Sequence, residues 1–269
     1  MKLQGTSREL SAEFLGTFVL MIFGLGVNAQ VTLAKAVDAP FFSSFLVINI
    51  GWGLAVTMGV YVSGGVSGAH LNPAVTLAMA VRRGFSWNKV APFIAVQVLA
   101  ALAASAAVYL TYHEALDYYE GQFHVGAVRS IESAGIWATY PKPFLSSLGG
   151  LIDQIVGTGL LVLCIFALTD DRNTAPKSNF GPVVVGSIVL LVGMTFGYNC
   201  GYAINPARDF GPRLFTSLAG WGAAPFEATS NDGVPFWWIP IVGPCIGGVL
   251  GGVIYDLLVG RNHPDDEKE

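Results

Sequence analysis

The chain has 269 residues, of which 53% are hydrophobic and only 12% charged, with 33 glycines and a formal net charge of −4. A soluble domain of this length carries roughly twice that charge, so the composition excludes an ordinary globular enzyme and points to helices packed closely in a bilayer. A net charge this small gives no reason to invoke nucleic acid.

Apolar runs near the ~20 residues of a spanning helix fall in chain order at 10–32, 41–62, 90–112, 145–168, 183–198 and 236–259. Residues 1–9 and 261–269 read as cytoplasmic tails of one membrane domain, 10–260. The first run has no small-residue cleavage site after it and reads as a retained span rather than a leader. Residues 113–144, polar and aromatic, read as an outer loop joining a first repeat, about 10–112, to a second, about 145–260. The end of the chain, 262–269, reads as disordered.

Asn-Pro-Ala occurs twice, at Asn72-Pro73-Ala74 and Asn205-Pro206-Ala207, each after a Gly-rich stretch. Asn-Pro marks turns and Pro suits the first turn of a helix, so one copy means little. Two copies about half a chain apart, in matching contexts, make the chain two homologous halves. Glu13-Phe-Leu-Gly-Thr17 and Gln154-Ile-Val-Gly-Thr158 repeat in phase with them. Segments 73–81 and 206–218 are too short to cross and read as re-entrant half-helices. Three spans per half is an odd number, so the halves are inverted and the half-helices meet from opposite faces. With the N-terminus cytoplasmic, nine of the fourteen Lys and Arg residues fall inside, as the positive-inside bias requires.

Two helix N-termini aimed at one point create a positive maximum that repels cations. As N-caps, Asn72 and Asn205 can hold their own helices through the side-chain oxygen while each NH₂ faces the channel. The approaches, Gly68, Ala69, His70 and Leu71 in one half and Gly201, Ala203 and Ile204 in the other, read as pore-lining backbone, tolerated at that depth only beside protein or water.

These residues together resemble the aquaporin family from about Leu10 to Gly260. The run Gly201-Tyr-Ala-Ile-Asn-Pro-Ala-Arg-Asp-Phe-Gly-Pro-Arg213, with Asp209, resembles the glycerol-conducting branch, the aquaglyceroporins. Ala138-Thr-Tyr-Pro141, Ala219-Gly-Trp-Gly222 and Phe236-Trp-Trp-Ile-Pro240 look closest to animal members. The resemblance implies a homotetramer with one pore per subunit in the plasma membrane. It also implies a selectivity filter at Trp52, Gly193, Tyr202 and Arg208. Water-only members carry His at the second of these positions and a small residue at the third. Here Gly193 widens the constriction, Trp52 and Tyr202 form an apolar corner, and Arg208 supplies donors to hydroxyls.

Trp52 or Tyr202 alone reads as a packing aromatic; only the spacing from the two motifs makes either a filter residue. Arg208 beside a half-helix is functional by default. Glu13 reads as a brace of the first loop, and Gln154 keeps that hydrogen-bonding role without the charge. Asp153, adjacent, projects about 100° away on the helix. His70 reads equally as a satisfied loop residue and as a sensor of cytoplasmic pH, with His113 and His124 as competing sensors. Cys164, Cys200 and Cys245 have neither CxxC spacing nor a His partner, so no disulfide or metal site is expected. No nucleophile–base pair or cofactor motif supports an enzyme. The expected function is a passive channel for glycerol, water and other small neutral solutes, with urea and hydrogen peroxide as further candidates. The alternatives are a water-selective channel and a secondary transporter, the latter opposed by the scarcity of acidic residues in the spans.

Overall fold

A computed structural model describes residues 3–39, 44–123 and 129–264. It is all-helical apart from one isolated bridge between Thr229 and Pro235. The helices are α1 (Gly5–Leu33), α2 (Phe45–Ser67), α3 (Pro73–Arg82), α4 (Trp87–Phe123), α5 (Ile131–Ala134) and α6 (Ser147–Leu168). They continue with α7 (Gly181–Cys200), α8 (Pro206–Thr216), α9 (Ala224–Glu227) and α10 (Ile239–Tyr255). Among the described residues six helices, α1, α2, α4, α6, α7 and α10 with its continuation to Gly260, are long and apolar enough to cross a membrane.

The order long, long, short, long occurs twice, as α1-α2-α3-α4 and α6-α7-α8-α10. In the first half α1 packs on α2 and α4; in the second α10 packs on α6, and α2 meets α7 across the halves. Helices in lipid gain nothing from burying apolar surface against one another, so close backbone approach supplies the contact. A Cβ added at Gly251 of α10 would lie 2.1 Å from the carbonyl oxygen of Gly159 on α6, which leaves room for hydrogen alone.

Two boundaries differ from the sequence reading. α4 continues through residues 113–123, where a loop was expected, and α5 sits inside the same segment. Hydropathy falls there but helical periodicity does not: Leu116 and Tyr119 remain buried on one face. From the buried face of that extension Glu120 accepts from the Ser130 backbone N–H (3.1 Å) and hydroxyl (3.0 Å) and from the Ser133 hydroxyl, fixing α5. α1 likewise starts at Gly5, inside the expected tail, with Glu9 paired to Lys89 at 2.7 Å. At the other end Asn262 and His263 are docked rather than loose. The Asn262 amide donates to the Leu257 carbonyl at 2.8 Å, and His263 Nε2 lies 3.0 Å from Asp170 Oδ2. Residues 1–2, 40–43, 124–128 and 265–269, also covered by the sequence reading, lie outside the described residues.

On the second half's outer side, Ser146 caps α6 and Asp232 accepts from the Ser147 N–H (2.9 Å) and hydroxyl (2.6 Å). Those two bonds hold the Asp232 carboxyl below its ordinary range.

Candidate functional site

The two half-helices begin in the same way. Asn72 caps α3 by accepting from Ala74 N–H at 2.9 Å, and Asn205 caps α8 by accepting from Ala207 (3.0 Å) and Arg208 (3.2 Å). Pro73 and Pro206 occupy the first helical positions, where a missing N–H costs nothing. Ala74 and Ala207 are fully buried behind them.

The side-chain amides cross between the halves. Asn72 Nδ2 donates to the Ile204 carbonyl and Asn205 Nδ2 to the Leu71 carbonyl, both at 2.8 Å. One N–H of each amide is therefore committed to the opposite loop, and the second is the donor left for the cavity. The reciprocal bonds put the two N-termini face to face.

The approaching loops alternate into left-handed backbone. Gly68, Ala69 and Leu71 have φ of 82°, 49° and 52°, and Gly201, Tyr202 and Ile204 have 78°, 38° and 44°. For non-glycine residues this conformation costs of order 1–3 kcal/mol each and persists only where surroundings enforce it. The enforcers are visible. In the first half the fully buried Glu13 accepts from Leu71 N–H, from Ser67 Oγ (2.7 Å) and from Gln97 Nε2 (2.8 Å). In the second, Gln154 Oε1 accepts from Ile204 N–H at 2.9 Å. Gln154 Nε2 then reaches Cys200 Sγ (3.2 Å) and Asp153 Oδ2 (3.3 Å), while Asn199 Nδ2 donates to Asp153 Oδ1 at 2.8 Å. Asp153 and Gln154 leave the helix in different directions yet meet at the end of α7.

His70 is tied to the same framework. Thr76 Oγ1 donates to the Asn72 carbonyl (3.0 Å) and accepts from Gln97 Nε2 (3.0 Å). Its one proton is thus used, so His70 Nδ1, at 3.1 Å, is the donor to it and Nε2 is the unprotonated nitrogen. The ring lies 4.6 Å from Phe85 and 5.3 Å from Phe93, centroid to centroid.

A cavity of about 270 Å³ runs from Thr169 and Pro182 at one end past both loops, Asn72 and Asn205, to Trp52, Tyr202 and Arg208. Its other wall is apolar, with Val56, Leu161 and Val189. A second cavity of about 420 Å³ lies beyond, lined by residues of the outer loop from Gly135 to Pro143. Trp52, Tyr202 and Arg208 border both cavities and so form the constriction between them. Arg208 Nη1 donates to the Trp137 carbonyl at 2.8 Å, and its Cζ lies 4.2 Å from the Trp52 ring centroid.

Gly193 borders neither cavity. It stands behind Tyr202: a Cβ there would lie 2.6 Å from Tyr202 Cζ and 2.5 Å from Asn49 Oδ1. The tyrosine ring fills the space that a side chain on α7 would otherwise claim. Asp209 borders no cavity either. It is fully buried, paired with Arg213 Nη2 at 2.7 Å, and accepts from the Thr139 N–H (2.8 Å) and hydroxyl (2.6 Å). Arg213 in turn donates to the carbonyls of Thr139 and Pro225, each at 2.6 Å. Asp209 therefore anchors the loop whose Trp137 carbonyl holds Arg208. Sequence reasoning missed Asn28, whose Oδ1 accepts from Trp52 Nε1 and whose Nδ2 donates to the Ile136 carbonyl, both at 3.0 Å. A lone amide inside an apolar run was the available signal.

Two inverted three-span halves, with half-helices meeting at a narrowed cavity, define a membrane channel. The sequence comparisons give its family: residues 1–255 match the model of the major intrinsic protein family, and the chain belongs to it. It is similar to an aquaporin-10 of Milnesium tardigradum, 46% identical over 266 residues, covering 96% of this chain and 64% of that protein. The human aquaporin-10 is 45% identical over 259 residues, covering 96% of this chain and 83% of that one. An X-ray structure of the aquaglyceroporin from Plasmodium falciparum superposes with a TM-score of 0.82 at 32% identity, covering 96% of this chain and 98% of that chain. The protein is thus an integral, multi-pass membrane channel rather than an enzyme.

Proposed function

We propose that this channel passes glycerol, water and other small neutral solutes passively, with urea and hydrogen peroxide as candidates, and excludes ions and protons. The observation that carries the reading is the constriction. Trp52 and Tyr202 supply an apolar side for a carbon backbone, and Arg208 supplies donors for hydroxyls. The two half-helix N-termini behind it oppose cation passage. Relatives named aquaporin-10 and a structural neighbour named aquaglyceroporin support the same solute class. In this reading Gly193 acts by admitting Tyr202, Asp209 by fixing the outer loop, and Glu13 and Gln154 by bracing the re-entrant loops. His70, beside the Asn72 cap, is the group through which cytoplasmic pH acts. The channel is a homotetramer of the plasma membrane with both termini cytoplasmic.

Stopped-flow light scattering on proteoliposomes tests this. Glycerol flux follows its own gradient and ignores pH and sodium gradients, because few titratable groups lie in the spans. Accumulation above equilibrium under either ion gradient would convict a secondary transporter, and water flux without glycerol flux would make it a water-selective channel.

A further inference from the structure

We propose that Asn28, on α1, is a positioning residue of the constriction, setting the orientation of the Trp52 indole and with it the preference for solutes over water. The proposal rests on the channel reading above and adds a residue that borders the outer cavity and acts on the constriction through Trp52.

The geometry is that of a cradle. A Cβ at Gly24 would lie 2.5 Å from Trp52 Cζ3, so the indole rests directly on the α1 backbone there. Four residues on, and therefore on the same helical face, Asn28 receives the indole N–H at 3.0 Å. The opposite end of the amide donates to the Ile136 carbonyl at 3.0 Å. The two bonds fix the amide's orientation, since a flip would set its NH₂ against the indole N–H and its oxygen against a carbonyl. Both partners are buried, so each bond, once lost, leaves an orphaned group.

The Ile136 carbonyl is followed by the Trp137 carbonyl, which holds Arg208. The aromatic and cationic sides of the constriction therefore hang from consecutive peptide groups of one loop, the aromatic side through Asn28. The guanidinium lies over the same indole at 4.2 Å. A rotation of that ring changes both the width of the opening and the apolar face a carbon chain meets.

Water, urea and glycerol permeabilities of proteoliposomes carrying wild type, Asn28→Leu, Trp52→Phe and the double variant test the role. Asn28→Leu keeps the volume and removes both bonds. The glycerol-to-water ratio is expected to fall about fivefold, the factor equivalent to one net hydrogen bond of about 1 kcal/mol. In the Trp52→Phe background the same substitution is expected to add nothing, because no indole N–H remains to be held. In protein labelled with 5-fluorotryptophan, the fluorine line lost in Trp52→Phe broadens or splits in Asn28→Leu. If Asn28→Leu does not fold, Asn28→Ser, whose hydroxyl cannot reach both partners, is read in its place. Unchanged ratios among the solutes that wild type passes, or a full further fall in the Trp52→Phe background, overturn the proposal. Absence of glycerol flux in wild type instead overturns the channel's solute reading, leaving the water-to-urea ratio to decide on Asn28.

Discussion

The two re-entrant loops share a backbone and differ in where they keep their charge. Each is braced at the N–H just before the capping Asn, Leu71 by Glu13 and Ile204 by Gln154. The third and fourth residues after the caps are Val75 and Thr76 in the first half, Arg208 and Asp209 in the second. The first half-helix is neutral there, and its carboxylate comes from α1. The second carries a cation that borders the cavity and an anion that turns away into an ion pair with Arg213. The lesson is that the repeat supplies the scaffold, while the charge at the constriction is placed in the second half only, its neighbouring anion turned away from the cavity.

The largest break in that asymmetry is Asp209→Ala. It leaves the Arg213 cation unpaired in a dry interior, a loss of about 3–5 kcal/mol. Thermal unfolding in detergent should show a marked drop, with Asp209→Ala/Arg213→Met recovering part of it. A single variant that melts like wild type would remove the anchoring role.

Next in size is the contrast between the braces. Glu13→Ala orphans the Leu71 N–H and one N–H of the Gln97 amide, the other keeping Thr76, whereas Gln154→Ala orphans chiefly the Ile204 N–H. At about 1–3 kcal/mol for each buried orphan, the first substitution should cost about twice the second. Equal melting shifts would show that the first loop's extra bonds carry no weight.

The constriction gives a smaller, functional effect. Gly193→His/Tyr202→Cys exchanges the ring that fills the space behind the cavity for an imidazole on α7. Glycerol permeation should fall relative to water by about tenfold. Gly193→His alone is expected to misfold, because the new side chain meets Tyr202. Equal losses of water and glycerol in the double variant would dissolve the filter assignment.

The subtlest effect belongs to His70. Protonating Nε2 turns the ring into a cation wedged against Phe85 and Phe93 while Nδ1 keeps its bond to Thr76. Burial between those rings pushes the imidazole down to about 4, so glycerol permeability should stay level as internal pH falls from about 7.5 to about 5.5 and change only on approach to about 4, in wild type and not in His70→Ala. A response surviving in the mutant would move sensing elsewhere, with His113 and His263 the other described histidines.

The half-helices were legible because Asn and Pro act locally: one caps and the other starts a turn, whatever surrounds them. The six spans were legible because lipid demands long apolar runs. The outer part of α4 was not, because hydropathy marks where a bilayer ends and not where a helix does. Nor was the meeting of Asp153 and Gln154, since a 100° step between neighbours separates Cα–Cβ directions but not the tips of side chains drawn to a common partner. Position 193 was legible as glycine, but its job depends on the Tyr202 ring, nine residues away and on a different element. Asn28 showed only as a lone amide in an apolar run, its role hidden for the same reason: both its partners are distant in sequence.

The crossed asparagine amides also set an order of events during synthesis. Asn72 emerges from the ribosome 132 residues ahead of Ile204, whose carbonyl completes its bonding. At about 5–20 residues per second, that interval lasts roughly 7–26 s. Throughout it the first loop has left-handed backbone to maintain and an amide with no partner across the pore. Lipid cannot accommodate such a segment, so the nascent first half must hold it in water or against the translocation machinery until the second half arrives. The contact at the centre of the channel therefore waits for the second half of the chain.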